Sequence, residues 1–84
     1  MKIDIKLFGQ VKDYFPTQQL EFVMEKDSIT VEEMKAWLTS QALCPERSRA
    51  LIQDSALATD TRVLQSQEVI SQGVLFVLPP VCGG

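Results

Sequence analysis

The chain has no histidine among its 84 residues, and that absence removes the side chain whose ordinary pKa lies nearest neutrality. A Ser-His-Asp triad, a Cys-His pair and a His-ligated zinc site are all excluded. Cysteine is nearly as scarce. Cys44 and Cys82 are too few for a disulfide framework or for a cysteine-rich zinc site, and they suggest no oxidising compartment. Positive charge is thin as well: eight Lys and Arg face eleven Asp and Glu, a formal net charge of −3 with no basic run. Nucleic acid is therefore not an expected partner, because neutralising phosphates needs clustered Lys and Arg. No apolar stretch approaches the roughly 20 residues of a membrane helix. The chain opens on a charged, alternating segment rather than a signal peptide, so a cytoplasmic protein with no membrane partner is expected. Catalysis by this chain alone is not.

What is present describes a small folded unit. Hydrophobic residues make up 45 % of the chain and charged ones 23 %, a balance that supports a core rather than disorder. The length has room for only one such core.

Lys2 to Phe8 alternates with period two, Ile3, Ile5 and Leu7 on one side and Lys2, Asp4 and Lys6 on the other, which predicts a half-buried strand. Gly9 breaks the run. Val11, Tyr14 and Phe15 then predict a short helical turn that Pro16 ends. A second strand is expected over Gln19 to Met24. From Thr30 the period becomes helical: Thr30 and Glu33 have the spacing of a capping box, and Ile29 and Met34 that of a hydrophobic staple. The predicted helix runs to about Gln41 with Val31, Met34, Leu38 and Ala42 as its apolar stripe and Trp37 at the margin. Pro45 opens a second, shorter helix through Leu51. Short strands are expected at Ala56–Ala58, Val63–Leu64 and Val69–Ile70, and a firmer one at Val74–Leu78, bounded by Gly73 and Pro79.

Strands, a well-capped helix and more strands in this length give an α+β fold, a small mixed sheet with one main helix on one face. The unbroken apolar run at Val74–Leu78 points side chains to both faces, and that helix covers only one. Either the segments between Cys44 and Gly73 cover the other face, or a partner does.

The chain ends Pro79-Pro80-Val81-Cys82-Gly83-Gly84. Two prolines stop sheet pairing and stiffen the exit, and two glycines carry no side chains. Six residues at roughly 3.3 Å each reach about 20 Å, enough to place a terminal carboxylate in another protein's pocket. Taken alone, a Gly-Gly end is an ordinary frayed terminus.

In combination, Leu78-Pro79-Pro80-Val81-Cys82-Gly83-Gly84 resembles the end of the small, sulfur-carrier subunit of molybdopterin synthase, a family of ubiquitin-like β-grasp proteins. The opening Ile3-Asp4-Ile5-Lys6-Leu7-Phe8-Gly9-Gln10-Val11-Lys12, the Thr30-Val31 pair and the total length are similar too. The chain departs from the family at Ile70-Ser71-Gln72-Gly73-Val74, where a Gly-Asp-Glu turn is usual, and around Ala56–Asp60, where an Asn is common.

The resemblance implies a β-grasp domain over 1–78 and a reactive tail over 79–84. It implies that the Gly84 carboxylate is activated by an ATP-dependent adenylating enzyme, converted to a thiocarboxylate, and carried into the large synthase subunit to donate sulfur to a pterin precursor. ATP would serve the activating partner, with no cofactor bound permanently here. Gly83 would give clearance, Pro79 and Pro80 would aim the tail, Val81 and Cys82 would be among the binding residues, and Phe8 and Phe76 would help form the docking surface. For Phe8 a place in the core is the competing expectation, since an aromatic at a strand end usually packs inward. For Cys82, a thiol beside the reactive end stands against a merely small residue. Two other assignments stay open: a sulfur carrier for another pathway, such as thiazole or tungsten-cofactor synthesis, and a ubiquitin-like protein modifier.

Overall fold

The alternation of the N-terminal segment becomes strand β1, Lys2–Leu7, at the centre of a four-stranded sheet in a computed structural model that describes residues 1–71 and 73–80. Strand β2, Gln19–Val23, returns antiparallel beside it with Ile3 opposite Phe22. Between them Gly9–Tyr14 forms a 3₁₀ turn that buries Val11, and Phe15 closes it.

Strand β3 is the two-residue Ile29–Thr30, and helix α1, Val31–Gln41, follows directly. The capping box forms as its spacing predicts. Thr30 Oγ1 accepts the Glu33 backbone N–H at 3.1 Å, and Glu33 Oε1 accepts the Thr30 backbone N–H at 3.0 Å. These bonds favour the ionised carboxyl and hold Glu33 below its ordinary pKa. Val31, Met34, Leu38 and Ala42 are all buried, as the stripe requires, and half-buried Trp37 meets Phe22 edge-on at 4.8 Å.

Helix α2 spans Pro45–Asp54, three residues beyond its expected end. Buried Ile52 prolongs its inward face, and Ser55 then caps the turn by donating its hydroxyl to Leu51 O at 2.6 Å. This helix packs on α1 and the 3₁₀ turn. Lys35 of α1 reaches across to donate to Gln53 O at 2.8 Å, and partial burial lowers its pKa.

Strands β4, Ala56–Ala58, β5, Val69–Ile70, and β6, Gly73–Leu78, complete the chain. The sheet order is β2-β1-β6-β4, with β6 parallel to β1 and antiparallel to β4, while β3 and β5 pair separately. The expected strand at Val63–Leu64 does not form. Val63 makes only an isolated bridge to Ala58, because β4 is three residues long and the tight turn after it leaves space for little more. The pairing of β3 with β5 has no counterpart in the sequence reading.

Ile3, Ile5 and Leu7 of β1, Phe22 of β2, Leu57 of β4 and Leu75 and Val77 of β6 pack against α1 and Ile52 of α2. Both helices therefore serve the same face.

Candidate functional site

The opposite face of the sheet is where the apolar run at the C-terminal end has consequences. Along β6, Leu75 and Val77 point into the core, so Val74, Phe76 and Leu78 point away from it. Because α2 lies with α1, the segment after Cys44 meets this face only at its border, through Thr59 and Asp60, and of the two alternatives full coverage by that segment is not realised. Val74 stays 41 % exposed, and Phe76 and Leu78 are half-buried.

Phe8 belongs to the same surface. Its expected place in the core is not observed: it is 42 % exposed, and its ring lies 5.8 Å from that of Phe76 at 57°. The physical reason is the pleat. Phe8 follows Leu7 and continues the parity of Lys2, Asp4 and Lys6, all on the face away from the core. Its N–H still donates to Val77 O at 3.2 Å, which extends the β1–β6 ladder by one step and fixes the two rings side by side.

Beside the aromatic pair opens a pocket of about 370 Å³ lined by Lys6, Thr59, Asp60, Gly73, Val74 and Phe76. Lys6 pairs in register with Phe76, and both it and the acidic Asp60 border the apolar floor of this pocket. Further along the face, Lys2 and Glu21 form an exposed ion pair at 3.2 Å that raises the lysine pKa, chiefly through the hydrogen bond to Glu21. Apolar centre and charged margin together have the composition of a protein-docking surface.

Pro79 and Pro80 follow β6. Pro79 is half-buried and Pro80 exposed. Pro79 sits against Gly9, whose φ is +58°, at the start of the 3₁₀ turn. Of the residues singled out from the sequence, Phe8, Phe76, Pro79 and Pro80 thus gather at one end of one face, while Val81, Cys82, Gly83 and Gly84 lie outside the described residues. Sequence reasoning missed Gly9, which it treated as a strand break, and Thr59 and Asp60, which it treated as a turn. Among the described residues no cluster of potential metal ligands occurs, and no helix is long and apolar enough to cross a membrane.

A central parallel pair, an antiparallel hairpin and a helix laid over one face make a ubiquitin-like β-grasp fold. Solved structures of other proteins share this fold. The chain superimposes on a protein assigned as molybdopterin converting factor subunit 1 from Pyrococcus furiosus with a TM-score of 0.77 and 18 % identity, over 96 % of this chain and 99 % of that one. SAMP1 from Haloferax volcanii gives 0.75 and 18 % identity over the whole of both chains. A chain in the complex of subunits 1 and 2 of molybdopterin-converting factor from Helicobacter pylori gives 0.62 and 21 %, again over both chains in full. At these identities the likeness is one of fold. No protein-family profile matches the chain, and no curated protein matches it in sequence.

Proposed function

We propose that this protein is a sulfur carrier, the small subunit of a molybdopterin synthase, and that its chemistry takes place on the carboxylate of Gly84. The observation that carries the reading is the continuity of an exposed Phe8–Phe76 surface with the Pro79-Pro80 exit that leads into Val81-Cys82-Gly83-Gly84. The fold, shared with molybdopterin converting factor subunit 1, supports it.

A carboxylate is a poor acyl donor because its charge repels nucleophiles and oxide is a poor leaving group. An adenylating enzyme removes both obstacles: a carboxylate oxygen attacks the α-phosphorus of ATP and pyrophosphate leaves. Hydrosulfide from the sulfur donor then attacks the acyl carbon and AMP departs, leaving a thiocarboxylate. The tail delivers that sulfur to a pterin precursor in the large subunit, and water restores the carboxylate. In this scheme Gly83 passes a narrow channel in the partner, Val81 and Cys82 bind along with it, and Phe8 and Phe76 hold the body of the protein at the channel mouth. The partner contributes the catalytic side chains, in keeping with a chain that lacks histidine. The Helicobacter pylori complex of subunits 1 and 2 supports a large-subunit partner.

Reconstitution with an adenylating enzyme, a sulfur donor and a large subunit tests the reading. The intact chain is expected to gain mass equal to the exchange of one oxygen for sulfur and to lose it on transfer. Deleting Gly84, or adding one residue after it, is expected to abolish transfer while leaving the amide spectrum of residues 1–78 unchanged. Full transfer by either variant would overturn the proposal. Recovery of the chain joined to lysines of larger proteins would replace it with a ubiquitin-like modifier.

A further inference from the structure

We infer that Gly9 is a positioning residue for the C-terminal tail, because the space above its bare Cα seats the Pro79 ring and sets the direction in which the chain leaves β6. The inference is geometric, and only its functional consequence rests on the sulfur-carrier reading.

The ladder between β1 and β6 holds the two strands in register up to Leu7 and Val77 and takes one more bond from Phe8 N–H to Val77 O. Beyond Leu78, which still pairs with Ala56 of β4, Pro79 and Pro80 have no N–H to donate, so the ladders lose their donors there. Packing takes over at Gly9. A methyl group built there would lie 2.6 Å from Pro79 Cγ, 3.4 Å from Cδ and 3.7 Å from Cβ. A proline ring is rigid, so any side chain at position 9 must push the ring, and the root of the tail with it.

The positive φ of Gly9 serves the same end. At +58° the chain turns sharply from β1 into the 3₁₀ turn, which brings position 9 beneath Pro79 rather than carrying it onward along the strand. Gly73, the other glycine with positive φ, provides the contrast: a methyl group there would meet nothing within 4 Å. Gly73 answers a backbone need alone, whereas Gly9 answers a backbone need and a steric one.

The two native cysteines allow a direct test. Cys44 is exposed on the body of the protein and Cys82 belongs to the tail, so spin labels on both report the tail's position by their distance distribution. Gly9→Asn is the informative variant, since asparagine tolerates positive φ yet carries a Cβ. We expect it to shift the distribution while the amide spectrum of the core stays parental. In a Pro79→Ala background, where the obstructing ring atoms are gone, the same substitution should produce no further shift. With the reconstituted partners, Gly9→Asn should slow sulfur transfer roughly tenfold to a hundredfold, the scale expected for a small misplacement of a reacting group, and should add nothing to the loss caused by Pro79→Ala. An unshifted distribution in Gly9→Asn, or an equal effect in both backgrounds, overturns the inference. A parental chain that never acquires sulfur would instead defeat the carrier reading, and the distance measurement would still decide the role of Gly9.

Discussion

The two faces of the sheet are built from alternate residues of the same strands, and they solve different problems. On the helix side Leu75 and Val77 are 0 % exposed and interlock with Ile3, Ile5 and Leu38. On the other side Phe76, between them, shares its flank with an exposed Phe8 and an ammonium from Lys6. Neighbouring positions in the chain therefore carry separate duties, stability on one face and, in the proposed reading, recognition on the other. Apolar character alone does not distinguish them; coverage by α1 and α2 does.

Substitution on each face in turn would break or sharpen this contrast. Leu75→Ala is expected to have the largest effect on folding, a loss of about 2–5 kcal/mol, because it removes buried methyl groups and leaves a cavity that packed neighbours cannot fill; urea unfolding would measure it. Phe76→Ala, one position along, should lower stability by only about 1 kcal/mol, the scale of a half-buried aromatic contact with Phe8. Its larger consequence should appear in partner affinity, where calorimetry is expected to show a weakening of tenfold or more, as for an aromatic anchor at an interface centre. If Phe76→Ala bound the large subunit as tightly as the parent, the functional half of the contrast would fail.

Smaller effects lie away from the sheet. Thr30→Ala removes one side of the capping box and should cost about 1 kcal/mol, read as a lower urea midpoint with an unchanged slope. Glu33 and Glu68 provide the mildest probe. Backbone hydrogen bonds hold both carboxyls below their ordinary pKa, from Thr30 to Glu33 and from Gln65 to Glu68, with Thr30 Oγ1 and Arg62 adding to them. A carboxyl whose pKa is depressed on folding binds protons more readily in the unfolded chain. Its stabilising contribution is therefore complete above the ordinary carboxylate range and fades as pH falls through the depressed folded values. Glu33→Gln and Glu68→Gln should each flatten the acid side of the stability profile slightly, measurable as a smaller fall in Tm between neutral and acidic pH.

Much of this architecture was legible because its causes are local. The start of α1 is written in four residues, Thr30 to Glu33, and the core parity of β1 in the spacing of Ile3, Ile5 and Leu7. Phe8 was legible in principle too: the alternation that sends Lys6 outward sends Phe8 with it, and the general habit of aromatics to pack inward obscured that. The contact of Gly9 with Pro79 joins the two ends of the chain, and nothing near either residue announces it. Val63 shows the opposite limit, a residue of strand-forming type denied a strand because β4 is too short to offer it partners. That Phe8 and Phe76 share a surface follows from strand parity, whereas its being left open depends on α2 lying beside α1, which no local pattern fixes.

The central pairing of β1 with β6 also governs when the molecule can exist at all. Ile3 lies opposite Gly73 and Leu7 opposite Val77, so β1, which pairs with β2 on one edge soon after both are made, waits for β6 to fill its other edge. A chain halted before β6 leaves one edge of β1 unpaired and its core side chains only partly covered, the kind of exposed strand edge that invites proteolysis and aggregation. Synthesis thereby enforces its own proofreading: a molecule that has closed its sheet has already been translated as far as the two prolines.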